Sequence, residues 1–145
     1  MVYKHSRMTG TQIEDFLRTP RIAVVGTNAS GRGPQLTPVW YLYENSRIYL
    51  SISENSAKYR NLIRDPRISI CIPGVHPDAR AVMIYGNAVL AQKNSAEHDD
   101  IDWRLTRRYY DSDEEAQAFL NSAPAGDKTA VVIVAPNKML AEDYN

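Results

Sequence analysis

The sequence predicts a mainly β domain, an antiparallel sheet or barrel with helices at its periphery. Two observations carry this: six strand-like apolar runs follow one another through short turns, and only three or four helical segments accompany them. A doubly wound parallel sheet would need a crossover helix for nearly every strand. At 145 residues the chain has one domain's length and enough material for a real core. No repeat, low-complexity stretch or linker divides it, so residues 1–145 read as a single unit.

Thr11 and Glu14 have capping-box spacing, and Ile13, Phe16 and Leu17 follow at helical intervals, which predicts a short amphipathic helix before Pro20. Ile22 to Thr27 reads as the first strand, Asn28 to Pro34 as a glycine-bearing turn, and Gln35 to Tyr43 as the antiparallel partner. Glu44-Asn45-Ser46 turns the chain into a strand from Arg47 to Ser53, where Ile48, Leu50 and Ile52 alternate with Tyr49, Ser51 and Ser53. A basic helix precedes the next strand, Arg67 to Ile72, and Pro73-Gly74 ends it. Ala81 to Ala91 is a strand with Gly86 in its middle, the mark of a bulge or close backbone approach. Ile101, Leu105 and Tyr109 place a helix within Ser95 to Tyr110, and Ser112 with Glu115 starts another that Pro124-Ala125-Gly126-Asp127 ends. Thr129 to Ala135 is the final strand, and Pro136 opens a tail in which Met139 and Leu140 pack back on the body.

The basic helix carries the strongest local signal. Ser56 can cap it by accepting from the backbone N–H of Lys58 or Tyr59, and Asp65-Pro66 stops it. Tyr59, Leu62 and Ile63 share one face, which leaves Lys58, Arg60 and Asn61 near the start and sides. A lysine, unpaired N–H groups and the positive end of a helix dipole together form a phosphate seat. The competing reading is an ordinary solvated helix face.

Composition bounds the rest. Seventeen basic residues balance seventeen acidic ones, so no global field attracts nucleic acid or an anionic membrane, and anion recognition must be local. The lone Cys71 cannot form an internal disulfide, and its apolar run predicts a small buried hydrophobe. No apolar run approaches a membrane span and the N-terminal residues lack a signal-peptide core, which leads us to expect a cytoplasmic protein.

Other chemical signals are weak. Gly26 to Arg32 approaches a P-loop in glycine spacing, but Arg32-Gly33 stands where Lys and Ser or Thr are required. His5, His76 and His98 are scattered, which predicts no metal site and surface histidines. There is no Gly-x-Ser-x-Gly elbow, and Cys71 has no local activating partner. Asp99-Asp100-Ile101-Asp102 reads as the solvated first part of a helix, complementing its dipole. In Gln35-Leu36-Thr37-Pro38-Val39-Trp40-Tyr41, Pro38 marks an edge or bulge. Backbone groups freed there could hydrogen-bond a flat heteroaromatic ring, with Val39, Trp40 or Tyr41 in apolar contact; a strand simply ending at Pro38 is the alternative.

The LTPVWY hairpin, the strand followed by SAKYRNLIRDPRISI, and the strand AVMIYGNAVLA together resemble the pyridoxamine 5'-phosphate oxidase-like, FMN-binding split-barrel family. The likeness runs from about Ile13 to Pro136 and is greatest to the deazaflavin branch, the enzymes that use coenzyme F420. It implies a six-stranded antiparallel split β-barrel acting as a homodimer, with cofactor sites between the subunits. By resemblance, Lys58 binds the cofactor phosphate, Ala57 contributes backbone, and Arg60 or Asn61 supports the site. Leu36, Thr37, Pro38, Val39, Trp40 and Tyr41 border the ring and ribityl chain, Ser51 and Ile52 line the next strand, and Arg80 and Ala81 approach from a later one. The Arg-bearing ring segment and Ser-Arg-Lys phosphate motif of the vitamin B6 oxidases are replaced here by LTPVWY and Ser56-Ala57-Lys58, which argues against B6 oxidation. Tyr85 before Gly86, and a tail without Arg-Trp, depart from the deazaflavin pattern on the substrate side. The expected function is an F420-dependent oxidoreductase that passes hydride to an enone, quinone or tetrapyrrole-like compound, with no obligatory protein acid or base; water or the Tyr41 hydroxyl could deliver the proton. FMN-dependent reduction, a flavin or deazaflavin carrier and, more remotely, a haem-binding split barrel are the alternatives.

Overall fold

The computed structural model describes residues 5–124 and 126–145. Residues 1–4, the start of the segment expected to lack a signal-peptide core, and Ala125 of the expected turn lie outside the described residues. Eight strands form one antiparallel sheet: β1 (Ser6–Arg7), β2 (Ala23–Thr27), β3 (Gln35–Val39), β4 (Tyr41–Glu44), β5 (Arg47–Ser53), β6 (Arg67–Pro73), β7 (Arg80–Leu90) and β8 (Thr129–Asp143). The helices are α1 (Gly10–Arg18), α2 (Ala57–Arg64), α3 (Ala96–Arg107) and α4 (Asp113–Asn121). The spatial order is β3-β2-β6-β7-β8-β5-β4, with β1 beside β8. β3 also comes against β5, so the sheet curls into a half-barrel.

The inner face holds the main core. Val25, Ile48, Leu50, Ile70, Ile84 and Val132 meet there, and Phe16 and Leu17 of α1 close one end. Each such side chain contributes roughly 1.5–3 kcal/mol by leaving water. On the other side of β4, β5 and the first half of β8, Ile101 and Leu105 of α3 pack against Leu42, Tyr49 and Val131. The Arg108 guanidinium donates to the carbonyls of Tyr41, Leu17 and Arg18, which ties the end of α3 to the end of α1.

Several expectations need correction. There are eight strands rather than six, because the run Gln35 to Tyr43 breaks at Trp40 into β3 and β4 and because β1 pairs with the end of β8. The capping box of α1 belongs to Thr9 and Gln12, not Thr11 and Glu14: the Thr9 hydroxyl accepts from the Gln12 N–H at 3.2 Å, and the Gln12 side chain accepts from the Thr9 N–H at 2.8 Å. Pro136 does not begin a tail. Gly86 pairs with Pro136 and Tyr85 with Lys138, so Asn137 is the extra residue of a bulge and β8 continues to Asp143. A side-chain carbon at Gly86 would lie 2.9 Å from Val134 Cγ1 and 3.0 Å from the Ala135 carbonyl, the close approach expected of that glycine. Cys71 is half-buried, on the outer face between the inward Ile70 and Ile72; burial raises its thiol pKa. Among the described residues, no helix is long and apolar enough to cross a membrane.

Candidate functional site

A groove of about 480 Å³ opens between β5, the end of β3 and the α3–α4 pair. Its apolar wall includes Ile22, Pro38, Val39, Trp40, Leu105 and Phe119. The Trp40 ring stacks on Tyr109 at 4.6 Å with planes 6° apart, and Phe119 tilts against it at 5.2 Å. The break between β3 and β4 is held from the same side, since the Tyr109 hydroxyl accepts from the Tyr41 N–H at 3.1 Å and donates to the Arg21 carbonyl at 2.6 Å.

Lys58 marks one end, in the first turn of α2. The Ser56 hydroxyl accepts from the Tyr59 N–H at 3.2 Å, and the Asp65 N–H closes the last turn on the Asn61 carbonyl at 2.8 Å. Arg60 donates to the Asn55 carbonyl and Arg64 to the Asn28 carbonyl. Lys58 is half-buried and has no ion-pair or side-chain hydrogen-bond partner among the described residues. The N–H groups of Ala57 and Lys58 lie in the first helical turn, which has no intrahelical acceptors. A cation, open donors and the dipole's positive end converge there.

The polar floor comes from β5, α3 and β8. Asp102 accepts from the Ser51 hydroxyl at 2.6 Å and the Thr129 hydroxyl at 3.2 Å. His98 Nε2 donates to the Thr129 carbonyl at 2.9 Å, and Nδ1 faces Asp99 at 2.9 Å. Burial pulls the His98 pKa down, but the hydrogen bonds to Asp99 and Thr129 and the nearby charges of Asp102 and Asp99 outweigh it, so the pKa is raised.

Of the residues expected at the site, Pro38, Val39, Trp40, Ser51, Ile52 and Lys58 line this groove together. The others do not. Leu36 projects, 68% exposed, beside Tyr85 on the other half of the sheet's outer surface. Thr37 faces inward with its hydroxyl buried and unpartnered among the described residues. Tyr41 is fully buried, its hydroxyl within 3.0 Å of the Leu17 carbonyl and 2.9 Å of the Thr19 carbonyl. Burial, against the pull of Arg108, pushes its pKa up to about 12, and its side chain is not part of the groove lining. Asn61 is buried and donates to the Thr27 hydroxyl at 3.1 Å, while Arg60 is engaged with Asn55. Arg80 grips Asp78 through two 2.8 Å contacts, and Ala81 pairs with Pro73 and Glu142. Ala57 offers backbone only.

Sequence reasoning missed Asp102 and His98. Asp102 was grouped with the solvated carboxylates, yet α3 lies on the sheet with Asp102 turned toward Ser51. His98 is buried rather than on the surface. The usable signal was Ile101 and Leu105, whose spacing marks the covered face beside Asp102.

The family model for pyridoxamine 5'-phosphate oxidase matches residues 9–141. The chain belongs to this family. Solved structures agree on the fold. A conserved hypothetical protein from Mycobacterium tuberculosis is 24% identical, covers 95% of this chain and 86% of its own, and superposes with a TM-score of 0.75. HutZ, the heme storage protein from Vibrio cholerae, is 12% identical with a TM-score of 0.74, over 94% of this chain and 96% of that one. A FAD-binding protein from Mesorhizobium loti is 15% identical with a TM-score of 0.69, over 98% of both chains. No curated protein matches the chain in sequence. The pyridoxamine 5'-phosphate oxidase family thus includes this chain, while the structural neighbours differ in what their names say they bind.

Proposed function

We propose that the groove seats a flavin-type cofactor with its phosphate at Lys58, and that the protein is a homodimeric oxidoreductase using coenzyme F420 to reduce an enone, quinone or tetrapyrrole-like compound. The observation that carries this is Lys58 at the start of α2, without an ion-pair or side-chain hydrogen-bond partner among the described residues and facing a groove walled by Pro38, Val39 and Trp40. The donor set fits: a tricyclic ring needs an apolar plate and a phosphate needs a cation with open N–H groups. When bound and reduced, the cofactor supplies the hydride. Lys58 and the first turn of α2 hold the phosphate, Trp40 and Pro38 orient the ring, and Phe119 with Leu120 keeps water from the wall. No side chain is assigned as proton donor.

FMN in the same seat is the second reading, favoured by one fact: Lys58 is the lone cation in the groove's lining among the described residues. A single phosphate is matched there, whereas the further carboxylates of a deazaflavin tail find no second cation.

The homodimer rests on the outer face of the sheet. Pro38, Val24, Cys71, Met83 and Leu140 are paired in register across β3, β2, β6, β7 and β8 and form one apolar row with no helix over it among the described residues. Leu36 and Tyr85 extend the patch, with Arg67 and Lys138 at its margin. A second copy of this chain is the occupant we assign, because the row is continuous with the groove through Pro38, so a partner seated there would border the cofactor.

Titration of the purified protein with FMN and with oxidised and reduced F420 tests the reading. Binding of at least one is expected, and Lys58→Ala should weaken it by at least about tenfold with little change in melting temperature. Binding of none would overturn the proposal, unchanged affinity in Lys58→Ala would return Lys58 to a solvated face, and binding without turnover on an enone and quinone panel would make the protein a carrier.

A further inference from the structure

Three hydroxyls line the groove with their protons already committed to carboxylates, one of which, Asp102, lines the groove with them. Ser51 donates to Asp102 at 2.6 Å, Thr129 donates to Asp102 at 3.2 Å, and Ser53 donates to Asp127 at 2.6 Å. A hydroxyl has one proton and two lone pairs, and an ionised carboxylate has acceptor sites only. Once the protons are committed to Asp102 and Asp127, what these groups can offer a ligand is lone pairs, one of those on Ser53 being taken by the Asn55 N–H at 3.1 Å. The β5–β8 floor is therefore polarised: acceptors line it, and donors are concentrated at Lys58.

From this we infer that the floor is a recognition surface for a chain of hydroxyl groups, with Asp102 contacting it directly and Asp127 acting as a positioning residue through Ser53. The inference rests on the flavin-type reading of the groove and specifies which part of the cofactor the floor takes. Ser53 precedes Lys58 by one short turn of chain, so the acceptors lie beside the phosphate seat. The segment of a flavin next to its phosphate is the ribityl chain, whose hydroxyls are donors. The same floor rejects a carboxylate or a bare carbonyl edge, because acceptor would meet acceptor with no proton between them.

Asp102→Asn keeps the shape but adds an N–H₂ group, which compels Ser51 or Thr129 to reverse its hydroxyl. Fluorescence titrations with FMN, riboflavin and lumiflavin read the consequence without turnover; if the wild type selects the deazaflavin, the corresponding deazaflavin series replaces them. Asp102→Asn should bind FMN and riboflavin at least about tenfold more weakly than the wild type, while lumiflavin, which lacks the hydroxyl chain, should bind both proteins alike. Asp127→Asn, remote from the ligand, should show the same pattern at about threefold. Unchanged riboflavin affinity in Asp102→Asn, or an equal loss for lumiflavin, overturns the inference and leaves the flavin reading standing. Should Asp102→Asn fail to fold by circular dichroism, Asp127→Asn decides, and an unchanged riboflavin affinity there overturns it. Failure of the wild type to bind any flavin or deazaflavin removes both.

Discussion

The outer surface of the curled sheet has two halves built from similar strands and finished differently. On one half, β4, β5 and the first part of β8 direct Leu42, Tyr49 and Val131 against Ile101 and Leu105 of α3, and the groove lies at the edge of that covering. On the other, β2, β6, β7 and the later part of β8 direct Val24, Cys71, Met83 and Leu140 outward, with no helix over them among the described residues. Strand alternation alone does not separate the two, since both faces of a strand can be apolar for different reasons. The covered half is completed by the chain itself. The bare half is completed, on our reading, by another copy.

Introducing a charge on the bare half should produce the largest effect. Met83→Asp is expected to convert a dimer to a monomer in sedimentation equilibrium while leaving circular dichroism near that of the wild type; a wild-type monomer would break the comparison outright. On the covered half, Ile101→Ala should lower unfolding free energy by about 2–5 kcal/mol through the cavity it leaves, with oligomeric state unchanged, as chemical denaturation and sedimentation would show. The smallest effect concerns pH. The His98 pKa is raised in the folded protein, so its contribution to stability is fully present below the unfolded value of about 6.5 and is lost as pH rises through the folded value. The stability difference between wild type and His98→Gln should therefore shrink over that interval; a pH-independent difference would show that His98 acts by packing alone.

How much of this was legible in the chain depends on how local the cause is. The α2 helix was readable because Ser56, Lys58 and Asp65-Pro66 act within a few residues of one another. The strand content was readable from alternation, and the glycine at the bulge from its place in a β run. Asp102 was not, because an acidic residue early in a helix has the same local signature whether that face meets water or a sheet. Trp40 was readable as a groove residue, but the strand break at it was not, because Tyr109, distant in sequence, takes hold of the Tyr41 N–H. Pro136 was read as a strand end, yet a bulge removes the need for a ladder donor at that point and lets the strand continue.

β8 has a consequence for the order in which the molecule can be assembled. In the hydrogen-bonded path, β3-β2-β6-β7 and β5-β4 are two separate sheets until β8 enters between β7 and β5. Before β8 docks, β2, β3, β6 and β7 can pair with one another and β4 with β5, but the two groups cannot join, β1 has no partner, and the free edges of β7 and β5 wait for a strand that follows them all in sequence. The groove, whose floor includes Thr129 of that strand, is finished at the same moment. On our reading of the groove as a cofactor seat, that seat does not exist until β8 has docked.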